Sequence, residues 1–232
     1  MPNVTINASK NAVASATAST FGDARQAEES TSNTINTSSS NIKSVEYFQS
    51  SGRGGTTVRF TRSYLAFNFT GYTTNAITNA TFKWTSTTTS TAAESCRLVL
   101  TNAFGSNTNF NNYVSDSWWE SLTMSTSYSS TFSWPDAASN NSVNLNSAAV
   151  TFAQSNSYLQ FAIVNIIDQS GINPGVNATD NSYGNWSSNN FNINFDYGDS
   201  NYPNAVISVA AANIGKVNSI ATGDISKVNS VS

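Results

Sequence analysis

The segment Phe191–Tyr197, which reads Phe-Asn-Ile-Asn-Phe-Asp-Tyr, alternates apolar and polar side chains without a break. Successive side chains of a strand point to opposite faces of a sheet, so this pattern predicts a strand with one buried and one wet face. The same period of two recurs in Leu65–Phe69 and Ala80–Trp84. Leu159–Ile167 is apolar almost throughout, which predicts a strand covered on both faces. Together these segments predict an all-β fold, an antiparallel jelly-roll-like β-sandwich.

The composition supports a β-protein with a polar coat. Ser, Thr and Asn supply 99 of the 232 residues, and these short side chains compete with the backbone for hydrogen bonds, which disfavours helices. The chain also has 13 Phe, 9 Tyr and 5 Trp, enough aromatic volume to fill one sizeable core.

The composition also argues against several functions. The chain has no His, so it lacks the usual general base and the commonest metal ligand, and Cys96 is its single Cys. The net charge of −3, without a basic patch, argues against nucleic-acid binding. Asp116, Glu120 and Asp168 stand in no recognisable catalytic motif. We therefore expect no catalytic residues, no metal, no cofactor and no enzyme activity.

The amino-terminal residues Met1–Ile6 have neither a charged stretch nor an apolar stretch of the kind found in secretion signals. The sequence also contains no run approaching the ~20 apolar residues of a membrane span. We therefore expect synthesis in the cytoplasm without signal-dependent export, and no membrane partner.

The carboxyl terminus differs from the rest of the chain. Ile214-Gly215-Lys216-Val217-Asn218-Ser219-Ile220 returns 11 residues later as Ile225-Ser226-Lys227-Val228-Asn229-Ser230-Val231. The glycines and β-branched residues favour two short extended segments around a turn near 222–224 over a helix. We therefore expect a sandwich domain at 1–209, with a long polar loop near 23–57, and a docking and oligomerisation tail at 210–232. The predicted assembly residues are Ile214, Lys216, Val217, Asn218, Ile220, Ile225, Lys227, Val228, Asn229 and Val231.

Four segments within about residues 4–209 resemble the DNRLRE-type β-sandwich, a jelly-roll family of surface proteins and carbohydrate-binding modules with related domains in phage virions. Arg62–Phe69 is similar to the family's Arg-x-Tyr-Leu-x-Phe-Asp strand, with Asn68 in place of the acid. Ile77–Phe82 resembles the next strand, and Trp118–Thr123 resembles the central Trp-x-Glu-x-x-Thr turn. Tyr202–Val209 resembles the final strand. The terminal repeat is similar to tails on structural proteins of tailed phages.

Two places are candidate carbohydrate sites. In Trp118-Trp119-Glu120, adjacent strand residues point to opposite faces, so we expect one Trp in the core and one exposed beside Glu120. An exposed indole covers the apolar face of a sugar while a carboxylate accepts hydrogen bonds from its hydroxyls. Tyr183 and Trp186, in a Gly- and Asn-rich loop, form the second candidate. The alternative at both places is ordinary packing under a loop.

These features together predict a non-enzymatic virion structural protein, exposed on a bacteriophage particle as a capsid decoration, head-fibre, tail or tail-fibre component. Its expected partners are other virion proteins and further copies of the chain, with a trimer among the states considered. The alternative is a carbohydrate-binding module or adhesin that recognises a host surface polysaccharide.

Overall fold

Strands dominate the molecule, and every pairing among the described strands is antiparallel. A computed structural model describes residues 3–26, 42–43, 45–73, 76–85, 94–105, 119–134, 141–175, 185–186, 191–198, 216–217 and 220–221. The strands are β1 Asn3–Ala18, β2 Ile42–Lys43, β3 Glu46–Gly52, β4 Gly55–Asn68, β5 Ala76–Trp84, β6 Glu94–Thr101, β7 Leu122–Ser127, β8 Phe132–Trp134, β9 Asn141–Asn144, β10 Tyr158–Asn165, β11 Asn185–Trp186, β12 Asn192–Gly198, β13 Lys216–Val217 and β14 Ile220–Ala221. The helices are α1 Phe21–Gln26, α2 Ser147–Asn156 and α3 Ile166–Ser170.

One long curled sheet folds into two layers. Sheet I has the order β9-β5-β12-β1, and sheet II continues from β1 through β4 and β10 to β6. β3 pairs with β4, while β7 and β8 both pair with β6. β1 belongs to both layers, because Asn3–Asn7 pairs with β12 and Ala8–Ala18 pairs with β4. A register shift between Ala8 and Lys10 marks the point where the strand passes from one layer to the other.

Aromatic side chains from both layers meet in the core. Phe82 of sheet I contacts Phe161 of sheet II, with ring centroids 5.1 Å apart, and Phe67 of sheet II lies 6.2 Å from Phe82. Phe195 of sheet I stacks on Phe69 at 5.2 Å. These contacts between facing sheets confirm the predicted all-β fold as an antiparallel β-sandwich.

The centre of sheet II, formed by β4 and β10, is buried on both faces. All eight residues of β4 from Phe60 to Phe67 are buried, as are seven of the eight residues of β10. The apolar run from Leu159 was predicted as one covered strand to Ile167; it is a buried strand as far as Asn165, and Ile166 begins α3. Tyr64, Ala66 and Ala162 pack with Phe104 on the face turned away from sheet I. Cys96 is buried in the core beside Leu98.

Several elements differ from the sequence expectation. β1 runs for 16 residues, a length that the sequence did not lead us to expect, since its buried positions beyond Asn11 are alanines, which give a weak alternation signal. The stretch expected as a loop near 23–57 includes the end of α1, β2 and β3. α2 was not expected. Its amino terminus is capped by the Asn146 side chain, which accepts a hydrogen bond from the Ala149 amide.

In the repeat region, β13 pairs with β14 in a short hairpin. Lys216 lies opposite Ala221 and Val217 opposite Ile220. The turn expected near 222–224 lies outside the described residues. Among the described residues, no helix has the length and apolar character needed to cross a membrane.

Candidate functional site: the outer face of sheet I

The outer face of sheet I carries rows of short polar side chains that run across the strands. Thr5 lies opposite Asn194, Asn194 opposite Thr81, and Thr81 opposite Asn144. A second row is Asn7, Asn192, Lys83 and Ser142, again joined by strand register. Neighbouring strands are about 4.8 Å apart, so each row presents hydroxyl and amide groups at a regular spacing. The result is a polar, weakly charged surface on four strands.

A bulge in β5 concentrates polar groups at one end of this face. The register of β5 with β12 shifts between Asn194 and Asp196, because Thr81 pairs with Asn194 and Thr78 with Asp196. The extra β5 residue places both Thr78 and Asn79 on the exposed side, while Ile77 and Ala80 stay buried. Asn79 has a φ of 50°, a left-handed conformation that Asn tolerates better than most residues.

The bulge fixes the orientation of a carboxylate. Asn79 Nδ2 donates to Asp196 Oδ2 at 2.8 Å, and Asn3 Nδ2 donates to Asp196 Oδ1 at 3.2 Å. These two amide donors favour the ionised form and hold the pKa of Asp196 below its ordinary value. Asp196 is therefore an oriented, charged acceptor on the surface at neutral pH.

A groove of about 460 Å³ lies between this end of sheet I and α2. Its floor is β5 from Ile77 to Thr81, and Val150 and Thr151 of α2 contribute to its wall. Thr81 Oγ1 donates to Asn144 Oδ1 at 3.2 Å, so both polar groups are held at the floor. The groove thus combines apolar patches with a few positioned hydroxyl and amide groups, the usual make-up of a small-ligand site.

The predicted site residue Trp119 lies elsewhere, in a turn that precedes β7, with the Leu122 amide donating to its carbonyl at 3.0 Å. It is not in a strand, so the expected division of faces does not apply to it. The guanidinium carbons of Arg25 and Arg62 lie 4.7 and 4.8 Å from the centroid of its half-buried ring. Stacking on cations occupies ring surface that a sugar would need.

Beneath Trp119 lies a buried ion pair. Arg62 Nε and Nη2 donate to Asp168 Oδ2 and Oδ1 at 2.6 and 3.1 Å, and both side chains are almost fully buried. Arg62 also donates to the Arg25 carbonyl, and Arg25 Nε donates to the Asp168 carbonyl. Asn68, which stands where the resembled family has an acid, instead accepts from the Thr70 amide in a local turn. Arg62 is thus a structural donor that ties α1 and α3 to sheet II.

The structure describes only some of the other predicted site residues. Glu120 is exposed in the same turn as Trp119, while Trp118 and Tyr183 lie outside the described residues. Trp186 is in β11, opposite Ile42 of β2. Of the predicted assembly residues, Lys216 and Val217 form β13 and Ile220 begins β14. The remaining assembly residues, Ile214, Asn218, Ile225, Lys227, Val228, Asn229 and Val231, lie outside the described part.

Sequence analysis identified β5 and β12 as strands but did not single out Thr78, Asn79, Thr81, Asn144 and Asp196 as a group. Their proximity depends on the register of three strands that are distant in the chain. The one available signal was the wet side of Phe191–Tyr197, where Asn, Asn and Asp alternate with the core residues. Among the described residues, no group of three or more His, Cys, Asp or Glu side chains is arranged to hold a metal.

Comparison with known proteins gives no family for the chain. No protein-family description matches it, and a search of curated proteins finds no relative. The observed β-sandwich agrees with the coarse fold of the DNRLRE-type resemblance, while the resemblance itself stays a prediction.

Proposed function

We propose that this chain is a non-enzymatic structural protein of a phage particle, exposed on its surface as a capsid decoration, head-fibre, tail or tail-fibre component. In this proposal it is made in the host cytoplasm, carried on the virion and attached to other virion subunits through residues 210–232. The sandwich would serve as the stable outward body and the tail as the attachment.

The tandem repeat at 214–231 is the observation that carries this proposal. Two copies of an 11-residue unit cannot bury a core by themselves, because repeat units are stabilised by the neighbours on which they stack. In the part of the chain that the structure describes, β13 and β14 form two residue pairs, and an isolated two-stranded hairpin is marginally stable at best in water. Pairing with a strand of another subunit would supply the missing main-chain hydrogen bonds.

Deletion of residues 210–232 tests the assembly role. We expect the full chain to form an oligomer, with a trimer as one expected state, and the truncated chain to be a folded monomer. Light scattering after size exclusion measures the mass, and circular dichroism checks that the β-sandwich is retained. Unchanged assembly of the truncated chain would refute the role of the tail.

The second candidate function is recognition of a host surface glycan, as in a carbohydrate-binding module or adhesin. The polar outer face of sheet I favours it, since hydroxyl and amide rows suit a polyhydroxylated ligand. A glycan array together with detection of the chain in purified particles separates the two functions. Specific glycan binding supports recognition, whereas absence of binding and presence in particles support the scaffold. Turnover of any polysaccharide would contradict the non-enzymatic proposal.

A further inference from the structure

We infer that the groove between β5 and α2 binds a short stretch of an uncharged polysaccharide, a site that rests on the second proposed function. The sequence placed its candidate sugar sites at Trp119 and Trp186. The contacts of Trp119 with two guanidinium groups make its ring a poor platform. The polar groups that are held in place and face solvent side by side lie on sheet I, away from Trp119.

The shape of the groove fits a chain more than a compact ligand. Its floor follows β5 from Ile77 to Thr81, which at ~3.3 Å per residue gives a length of roughly 13 Å. The groove lies where β9 ends and α2 begins, so its wall is a helix and its floor a strand. An extended segment lying along β5 would contact both.

The chemistry of the lining fits sugar hydroxyls. Thr81 donates its one hydroxyl proton to Asn144 Oδ1 or to the Asn79 carbonyl, which leaves the Thr81 oxygen as an acceptor and the Asn144 amide nitrogen as a donor for a ligand. At the rim, each oxygen of Asp196 accepts one amide hydrogen bond and keeps capacity for a hydroxyl donor. Val150 and Leu145 offer apolar surface for the C–H faces of a sugar ring.

The charge around the groove favours a neutral ligand. Asp196 is the one acid in the described strands of sheet I, and among the described residues no acidic or basic side chain lines the groove itself. A uronate or sialylated chain would meet the ionised Asp196 carboxylate without a cation in the lining to offset the repulsion. A single carboxylate also lacks the second acid that glycoside hydrolysis requires, so the site is suited to binding.

The backbone at Asn79 indicates that this arrangement is built into the fold. A left-handed residue other than Gly carries a conformational cost, and such bulges often serve to reorient side chains next to functional sites. Here the bulge exposes two polar residues in succession and orients the Asn79 amide toward Asp196. Asn79→Gly would keep the left-handed backbone and remove only the amide.

The test is an array of neutral oligosaccharides (glucans, mannans and galactans) printed beside uronate and sialylated oligosaccharides, probed with the full chain. We expect binding to neutral spots, weakened about tenfold by each of Thr81→Val, Asn144→Ala and Asn79→Gly. Thr123→Val, an exposed threonine on β7 of sheet II, is the matched control and should bind like the parent. Equal melting temperatures confirm that the variants are folded.

The possible results distinguish failure of the groove as the binding site from failure of glycan recognition as the function. Neutral-glycan binding that survives all three groove variants but is lost in Trp119→Ala or Trp186→Ala overturns this site and leaves glycan recognition standing. Preferential binding to acidic oligosaccharides overturns the uncharged ligand class. An array silent at every spot overturns both the site and the recognition function.

Discussion

The outer faces of the two sheets differ in composition and in exposure to solvent. On sheet II the face turned away from the shared core is occupied by alanines and aromatic residues and is buried, with Ala14, Tyr64 and Ala162 each at 0% exposure. On sheet I the corresponding face carries Thr, Asn and Ser and is exposed to solvent. The difference shows that the centre of sheet II is covered on both faces, whereas the outer face of sheet I is open to solvent.

The largest expected effect comes from breaking the ion pair on sheet II. Arg62→Met removes the closer of the two arginines paired with the buried Asp168 carboxylate and leaves Arg25 Nε at 3.5 Å, so we expect the free energy of unfolding to fall by about 3–5 kcal/mol. Lys83→Met, on the exposed face of sheet I, is the matched control and should change stability by less than about 0.5 kcal/mol. Urea denaturation measures both. A cost below 1 kcal/mol for Arg62→Met would contradict the structural importance of the pair.

Exchanging polarity between the two faces tests the comparison directly. Ala162→Asn places an amide in the covered centre of sheet II, where it has neither space nor a partner, and should cost about 2–4 kcal/mol. The reciprocal Asn192→Ala on sheet I should cost less than about 1 kcal/mol, because that side chain lies on the wet face. Thermal and urea unfolding provide the two values. Similar costs would mean that the faces do not differ as described.

We expect a gain in stability when a buried polar atom is removed from the core shared by both sheets. The Tyr128 hydroxyl is buried and has no hydrogen-bond partner in the described part of the chain. Tyr128→Phe should therefore stabilise the protein by about 1 kcal/mol. A loss of stability would reveal that the hydroxyl has a partner.

The same residue predicts a dependence on alkaline pH. Burial raises the pKa of Tyr128 above its ordinary value of 10.0, so the folded state favours the neutral phenol. Titration of this phenol therefore leaves the free energy of unfolding unchanged below pH 10. The free energy of unfolding falls as the pH rises further, because the phenol of the unfolded chain ionises first. In Tyr128→Phe the stability should fall less with increasing pH above 10. Denaturation midpoints measured across the alkaline range would show this.

The smallest effect concerns the wet face. The Asn3 and Asn79 amides lower the pKa of Asp196, so its contribution to stability is present above the ordinary value of 3.8 and is lost as the pH falls through the lowered pKa. Carboxyl chemical shifts should show a midpoint below 3.8 in the parent and a rise toward that value in Asn79→Gly. An unchanged midpoint would remove Asn79 as a cause.

The alternation in Phe191–Tyr197 and the apolar run from Leu159 carried enough information to predict strands and the two-layered fold, since side-chain periodicity is a local property. The sequence did not predict α2, because its only buried residues are Ala149 and Ala153. These small side chains make little apolar contrast with the polar residues of the helix. The pairing of Arg62 with Asp168 joins residues 106 positions apart, and the polar rows depend on strand register. Neither is readable from local sequence.

The passage of β1 through both layers has a mechanical consequence. One end of the strand is hydrogen-bonded to β12 and the rest to β4, on either side of the register shift. A pull along β1 would load one hydrogen-bonded ladder after the other in shear, and each would have to slip before the strand came out. β1 therefore resists being pulled out of the two layers.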